Sequence, residues 1–211
     1  MIAPVASAAI CIAGLLAGGV VATGLAGCAR KPRLPEVAGP ESAREAGRLA
    51  MEARAALDKG ELEKAIELSR RSIAVNDRIY GTWNNLGVAL MRQGDGMAAA
   101  DAFRRAADLA PTDPRPMENL GNVYAEAGFD AEAIEQYAAA LERDPNWLPA
   151  LRHGVRSAKS IRRSDERTLE WTRRGLLMEK DKAWRDVFAV ERMRVERDLA
   201  EQQEAAKNAR Q

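Results

Sequence analysis

The chain has very little with which to do metal or covalent chemistry. Its 211 residues include two cysteines, Cys11 and Cys28, and a single histidine, His153. Both cysteines fall in the first 28 residues. A disulfide framework over the rest of the chain is therefore excluded, and so are cysteine-based and multi-histidine metal sites. Cysteine–histidine catalysis lacks its nucleophile, and a Ser-His-Asp triad would have to use His153, which sits beside Arg152 and reads as an ordinary helix residue. Gly94-Asp95-Gly96 lacks the lysine and the preceding strand of a phosphate-binding loop. Acidic pairs such as Glu61/Glu63 and Asp186/Glu191 read as helix-surface charges. The chain calls for no cofactor and reads as non-catalytic.

Aromatic residues are scarce, at 5%, and no segment alternates apolar and polar residues convincingly enough to predict a strand. Charge of either sign is not in excess: 32 Lys and Arg against 31 Asp and Glu leave a net charge of +1. That balance gives no global reason to expect nucleic acid as a partner. What is plentiful is alanine, together with 30% charged residues. This composition suits helices packed through small side chains, with ion pairs on their outer faces.

Met1 to Ala29 carries no charged side chain, and Ile10 to Val21 is an apolar run rich in alanine and glycine. The run ends at Leu25-Ala26-Gly27-Cys28. These four residues resemble the lipobox of bacterial lipoproteins. The resemblance implies a signal peptide over residues 1–27, cleavage before Cys28, a lipid on Cys28 and a place in the bacterial cell envelope. Ala29 is not the aspartate that retains lipoproteins at the inner membrane, so the outer membrane or periplasm is favoured. The basic residues expected ahead of a secretory core are missing, and Arg30, Lys31 and Arg33 follow it instead. A single uncleaved transmembrane anchor, a plain cleaved secretory signal and a misassigned start codon therefore stay open. Cys11, in mid-core, reads as a small apolar filler. Pro32, Pro35, Gly39 and Pro40 make residues 28–40 a linker, able to hold a domain about 35 Å from a membrane surface.

From about residue 41 an interval of 34 residues organises the chain. Gly60, Gly94 and Gly128 are spaced by it, as are Ala65, Ala99 and Ala133. Two copies also share Asn85/Asn119, Leu86/Leu120, Gly87/Gly121, Phe103/Tyr137, Ala106/Ala140 and Pro111/Pro145. A fixed period of this length predicts helical hairpins stacked as a solenoid. The stretches Trp83–Pro111 and Met117–Pro145 resemble the tetratricopeptide repeat (TPR) family, and the preceding copy does so more weakly. The expectation is an all-α TPR-type solenoid over residues 41–163, with about three repeats and the start of a degenerate fourth hairpin. Residues 164–211 should supply C-terminal helices that cap it, through a stripe of Trp184, Phe188, Val195 and Leu199, with a frayed tail from about residue 201. Phe103 and Tyr137 are expected to fill the gaps between hairpins.

The family resemblance implies that the first helix of each pair lines a concave groove that binds a protein or peptide. Opposite the packing face, the period aligns Asn84, Glu118 and Arg152 in one column. Val88, Asn122 and Arg156 form a second, and Met91, Ala125 and Lys159 a third, flanked by Asn85 and Asn119. By resemblance, the asparagines would hydrogen-bond a peptide backbone. Between Asp144 and Asp165 the chain has five basic residues and no acid. Arg152, Arg156, Lys159 and Arg163 fall on one helical face, so this end of the groove suits an acidic segment. Pairing of the same cations with acids of the last helix, such as Glu191 and Glu196, and contact with anionic lipid both stay open. The functional expectation is a membrane-anchored adaptor that captures a peptide. The alternative is a structural subunit of an envelope complex or homo-oligomer packing through its outer faces or C-terminal helix.

Overall fold

The computed structural model describes residues 39–210. The predicted signal, Cys11, Cys28 and its predicted lipidation, and the linker up to residue 38 lie outside the described residues. The described residues form helices joined by turns, with no strand among them. In order they are α1 (Pro40–Asp58), α2 (Leu62–Val75), α3 (Tyr80–Gln93), α4 (Gly96–Leu109), α5 (Arg115–Glu126), α6 (Asp130–Arg143), α7 (Leu148–Ser160), α8 (Glu166–Met178) and α9 (Lys182–Asn208). Each packs on the next in sequence, and α1, α3, α5, α7 and α9 also touch one another in succession. No helix touches another more than two places away in the order, which is the contact pattern of a solenoid of hairpins. The helix begins at Pro40, at a position where the missing N–H of proline leaves no intrahelical bond unmade.

The turns within hairpins explain the glycine interval. Gly60, Gly94 and Gly128 have φ of +76°, +91° and +82°, the left-handed region that favours glycine. In each turn the glycine N–H donates three residues back, to Leu57, Met91 or Ala125, and the next N–H donates five back, to Ala56, Leu90 or Tyr124. This is a Schellman closure, which satisfies the last carbonyls of the first helix. The fourth hairpin makes the same pair of bonds, from Arg162 to Lys159 and from Arg163 to Ala158. Arg162, which lies 34 residues after Gly128, takes φ of +53° although it carries a side chain.

The helices of a hairpin meet at a glycine facing an aromatic ring. A Cβ on Gly87 would come within 2.5 Å of the Phe103 ring, and one on Gly121 within 2.5 Å of the Tyr137 ring. Each ring thus fills a gap inside its own hairpin, and Tyr137 also meets the next hairpin as the spacing suggested, its ring centroid 5.9 Å from that of His153. The fourth hairpin repeats the contact with Gly154 and Trp171, and α8 meets α9 the same way through Gly175 and Phe188. The first hairpin has Ala53 and Ser69 at the corresponding positions, both fully buried. In the last helix Phe188 and Val195 are completely buried and Trp184 and Leu199 half-buried, so the apolar stripe covers the end of the array. The helix runs on to Asn208 through exposed residues, beyond the fraying expected at about 201. Glu, Gln, Ala and Lys, the residues of that stretch, are good helix formers.

Candidate functional site

The site builds from register. Helices α3, α5 and α7 present corresponding residues 34 positions apart, and the structure gives the three columns different fates.

The first column is a seam between hairpins. Asn119 Nδ2 donates to Asn84 Oδ1 at 3.0 Å, and His153 Nδ1 lies 3.0 Å from Glu118 Oε1. Both contacts span 35 residues, so each joins one column position to the residue just past its counterpart in the next hairpin. The asparagine expected to hold a peptide backbone thus holds another asparagine. Asn85 is half-buried beside this seam. Glu118 is only 7% exposed and also accepts from Asn122 Nδ2 at 2.7 Å. An ionised carboxylate offers lone pairs alone, so it is satisfied here by two donors once His153 carries its hydrogen on Nδ1.

Arg152 ends this column differently. Its Nε and Nη2 donate to Glu179 Oε2 and Oε1, both at 2.7 Å, in a two-pronged pair. Glu179 is 4% exposed and accepts from the Lys180 and Asp181 backbone N–H groups as well. The Arg152 guanidinium, chiefly, holds the Glu179 carboxyl below its usual range. Arg152 was expected in the groove as a docking cation; its donors are instead directed to a residue of its own chain.

Four residues of the second and third columns, Asn122, Arg156, Met91 and Ala125, line an open hollow of about 460 Å³, and Val88 and Lys159 do not. Asn122, Tyr137 and His153 make its polar floor, Met91 and Ala125 its apolar side, and Arg156, Ser157 and Ser160 its carboxyl-terminal rim. Tyr137 donates its hydroxyl to Asn122 Oδ1 at 2.9 Å. Burial, with the nearby Glu118 charge adding to it, pushes the phenol above its ordinary range, so Tyr137 acts as a donor. Ser160 donates to Asp130 Oδ2 at 2.6 Å, and Glu126 is exposed at the same side. Val88 is half-buried one turn before Met91.

The basic stripe does not act as a unit. Arg152 is bound to Glu179; Lys159 Nζ stands 3.6 Å from the buried Glu191 of α9; Arg163 pairs with Asp165 and Glu135. Glu196, the other acid expected to meet the stripe, pairs with Arg173 and Arg192 instead. Arg156 alone of the four has no carboxylate partner among the described residues. Its guanidinium carbon lies 4.9 Å from the centroid of the Trp184 ring. Stacking uses the flat face of the guanidinium and leaves its in-plane N–H groups unspent.

Sequence reasoning missed the stacking of Arg156 on Trp184 and the part played by Glu179. It also missed a second cleft of about 640 Å³ on the turn side, between Met91, Met97, Val123, Tyr124 and Phe129. Met97 and Phe129 are 85% and 54% exposed there. Their position next to the turn glycines was the available signal. Among the described residues, no three His, Cys, Asp or Glu side chains gather as a metal site would need. None of these helices is long and apolar enough to cross a membrane.

These features define a tetratricopeptide-type helical-hairpin solenoid. Residues 50–114 match the tetratricopeptide repeat family model. Among curated proteins, the chain is similar to the probable UDP-N-acetylglucosamine–peptide N-acetylglucosaminyltransferase SPINDLY of Solanum lycopersicum, at 33% identity over 64 residues. The protein of the same name from Petunia hybrida is 34% identical over 64 residues. The chain spans 7% of the length of these relatives and 30% of itself is matched, so the likeness is confined to a stretch of repeats. Among solved structures, MamA is similar with a TM-score of 0.54 and 20% identity, over 77% of this chain and 81% of that one. YrrB, described as a TPR protein with an unusual peptide-binding site, gives 0.56 and 20% over 69% and 74%. The first TPR of Spaghetti, solved with an HSP90 peptide, gives 0.55 and 17% over 57% and 95%. At these identities the likeness is one of fold.

Proposed function

We propose that this protein is a non-catalytic adaptor that binds an extended peptide bearing a carboxylate in the hollow between α3, α5 and α7. A lipid on Cys28 would hold it at a bacterial envelope membrane, the outer membrane or periplasmic side being favoured. The observation that carries the peptide reading is Arg156: a cation fixed by an aromatic face, with open donors, on the rim of a hollow that has polar and apolar walls. Two structures of the same fold are described as peptide-binding, which supports the class of partner. In this reading an Asp or Glu side chain, or a chain terminus, meets Arg156, and an apolar side chain rests on Met91 and Ala125. Asn122, already engaged with Glu118 and Tyr137, keeps the floor rigid rather than reaching for the peptide.

Fluorescence anisotropy with short synthetic peptides, graded in acidic content, tests this directly. Acidic peptides should bind, and Arg156→Glu should weaken them by about ten- to a hundred-fold, the worth of one charge-assisted pair, while its helical circular dichroism shows that the variant is folded. Equal binding by the variant overturns the reading. The anchor is tested apart, by the mass of the mature amino terminus: a chain retaining residues 1–27 removes it. A second reading, a subunit that packs through its last helix, is favoured by the exposed Val190 and Met193 on α9. The two uses occupy different faces.

A further inference from the structure

The last helix has a second face, and its pattern is independent of the groove. At 100° per residue, Phe188, Val195 and Leu199 point to one side, into the array. On nearly the opposite side run Ala183, Asp186, Val190, Met193, Arg197, Ala200 and Glu204. Their spacing alternates between three and four residues, the register of a coiled-coil seam, with four apolar members and three charged ones. Its centre is apolar and open to solvent, with Val190 55% and Met193 57% exposed. Its charged members are exposed too, Asp186 by 66% and Arg197 by 63%.

The order of residues along this seam selects a partner. Reflected about the midpoint between Glu191 and Arg192, Val190 falls on Met193, Asp186 on Arg197, Ala183 on Ala200, and the neighbouring Lys182 on Glu201. From Ala183 to Ala200 each seam position therefore meets its complement when the helix is laid antiparallel against a copy of itself, and Glu204 lies beyond the overlap. Laid parallel, Asp186 would oppose Asp186 and Arg197 would oppose Arg197, and like charges at a seam are destabilising. An antiparallel pair also brings alternate seam positions together, as that geometry requires. At present Lys182 pairs with Asp186 at 3.3 Å, and Arg197 with Asp198 and Glu201 at 3.1 and 3.8 Å. Exposed pairs of this kind hold their charges weakly and can exchange partners.

We propose that α9 is the self-association surface of this protein: two copies join through an antiparallel, two-fold contact of their last helices, centred on Val190 and Met193. The contact is isologous, so it closes at two copies and does not propagate. A seam of about 18 residues is about 27 Å long. The result would be a bivalent adaptor, but the inference does not depend on what the groove binds.

Sedimentation of the full chain in a non-ionic detergent, over a concentration range reaching about 100 μM, the affinity class of a short seam, gives the test. The detergent serves with or without lipid on Cys28. The wild type is expected to form a dimer. Asp186→Arg should raise the dimer dissociation constant at least about ten-fold by opposing two arginines, and Met193→Glu should abolish association. The exchange Asp186→Arg with Arg197→Asp restores the complementary order and should restore the dimer. All variants change exposed residues, so unchanged helical circular dichroism confirms that each is folded. A wild type that stays monomeric overturns the proposal and leaves this face to another protein. A dimer indifferent to Asp186→Arg, or one the double exchange does not rescue, equally overturns it.

Discussion

In the third hairpin the groove positions are Glu118, Asn122 and Ala125; in the fourth the same positions are Arg152, Arg156 and Lys159. Within the first set, Glu118 meets His153 of the next hairpin, and Asn122 is held inside its own hairpin by Glu118 and Tyr137. The second set has no fifth repeat to meet. The turn after α8 and the helix α9 take that place, supplying Glu179 to Arg152, the Trp184 ring to Arg156 and Glu191 to Lys159. Interior repeats can share neutral polar contacts because each neighbour offers the same chemistry. The terminal repeat must be closed by a segment of different sequence, and here ion pairs do much of the joining. Arg152 and Lys159 are joined to that closure by carboxylates, Arg163 to the turn before α8, and Arg156 by an aromatic face alone.

The comparison is broken most severely at Arg152. Arg152→Ala leaves Glu179 buried with only two backbone donors, and should lower stability by about 3 kcal/mol, the usual loss when one partner of a buried pair is removed. Asn119→Ala, at the interior seam, removes a neutral bond and should lower it by about 1 kcal/mol. Urea unfolding of both variants measures the difference, and equal losses would erase the distinction between interior and end. Acid provides an independent check on the same pair. The folded state depresses the Glu179 pKa, so the stabilisation is present above the carboxyl's unfolded titration and is lost as pH falls through and below about 4–5. On acidification from neutral pH the wild type should therefore lose more stability than Glu179→Gln.

Between hairpins the comparison sharpens at the glycine–aromatic contacts. Gly121→Ala would put a Cβ 2.5 Å from the Tyr137 ring, which is itself anchored by its hydroxyl on Asn122. The ring cannot swing away without losing that bond, so the variant should lose about 2 kcal/mol to overpacking. Gly87→Ala makes the same approach to Phe103, which has no polar tether, and should lose somewhat less. Thermal denaturation of the two variants side by side decides this; a Gly121→Ala protein as stable as wild type would show that the contact is not under compression.

How far such features can be read in advance depends on whether their cause is local. Gly60, Gly94 and Gly128 were legible because a left-handed turn residue favours glycine whatever surrounds it. The starts of α8 and α9 have an equally local cause, the Asp165 and Asp181 side chains each accepting from a backbone N–H three residues on. The columns of the groove followed from the period. Their partners did not, since Arg152 meets Glu179 and Lys159 meets Glu191 across loops whose course no spacing rule fixes. The basic stripe consequently looked like four equivalent ligands for a partner. The packing of Phe103 and Tyr137 was legible only in part: Tyr137 does meet the next hairpin at His153, but a period places residues on a face without saying that each ring first fills the gap at a glycine of its own hairpin.

The fourth hairpin shows the limit from the other side, since its signature fades while its turn persists. Arg162 holds φ of +53° and makes the same two closing bonds as the glycines at its counterpart positions. A side chain in that conformation costs about 1 kcal/mol that glycine does not pay. The neighbouring repeats and α9 thus impose the turn on a residue that resists it. Arg162 is exposed and appears in none of the ion pairs that tie this region together, so replacing it removes little else. Arg162→Gly should accordingly raise stability by about 0.5–1 kcal/mol, net of the extra freedom glycine gives the unfolded chain. The corresponding Gly128→Arg should lower it by a comparable amount, and urea midpoints for the pair would read both. If Arg162→Gly were destabilising, the left-handed turn would have to be sustained by the arginine side chain itself, and the fourth hairpin would close by a different rule from the first three.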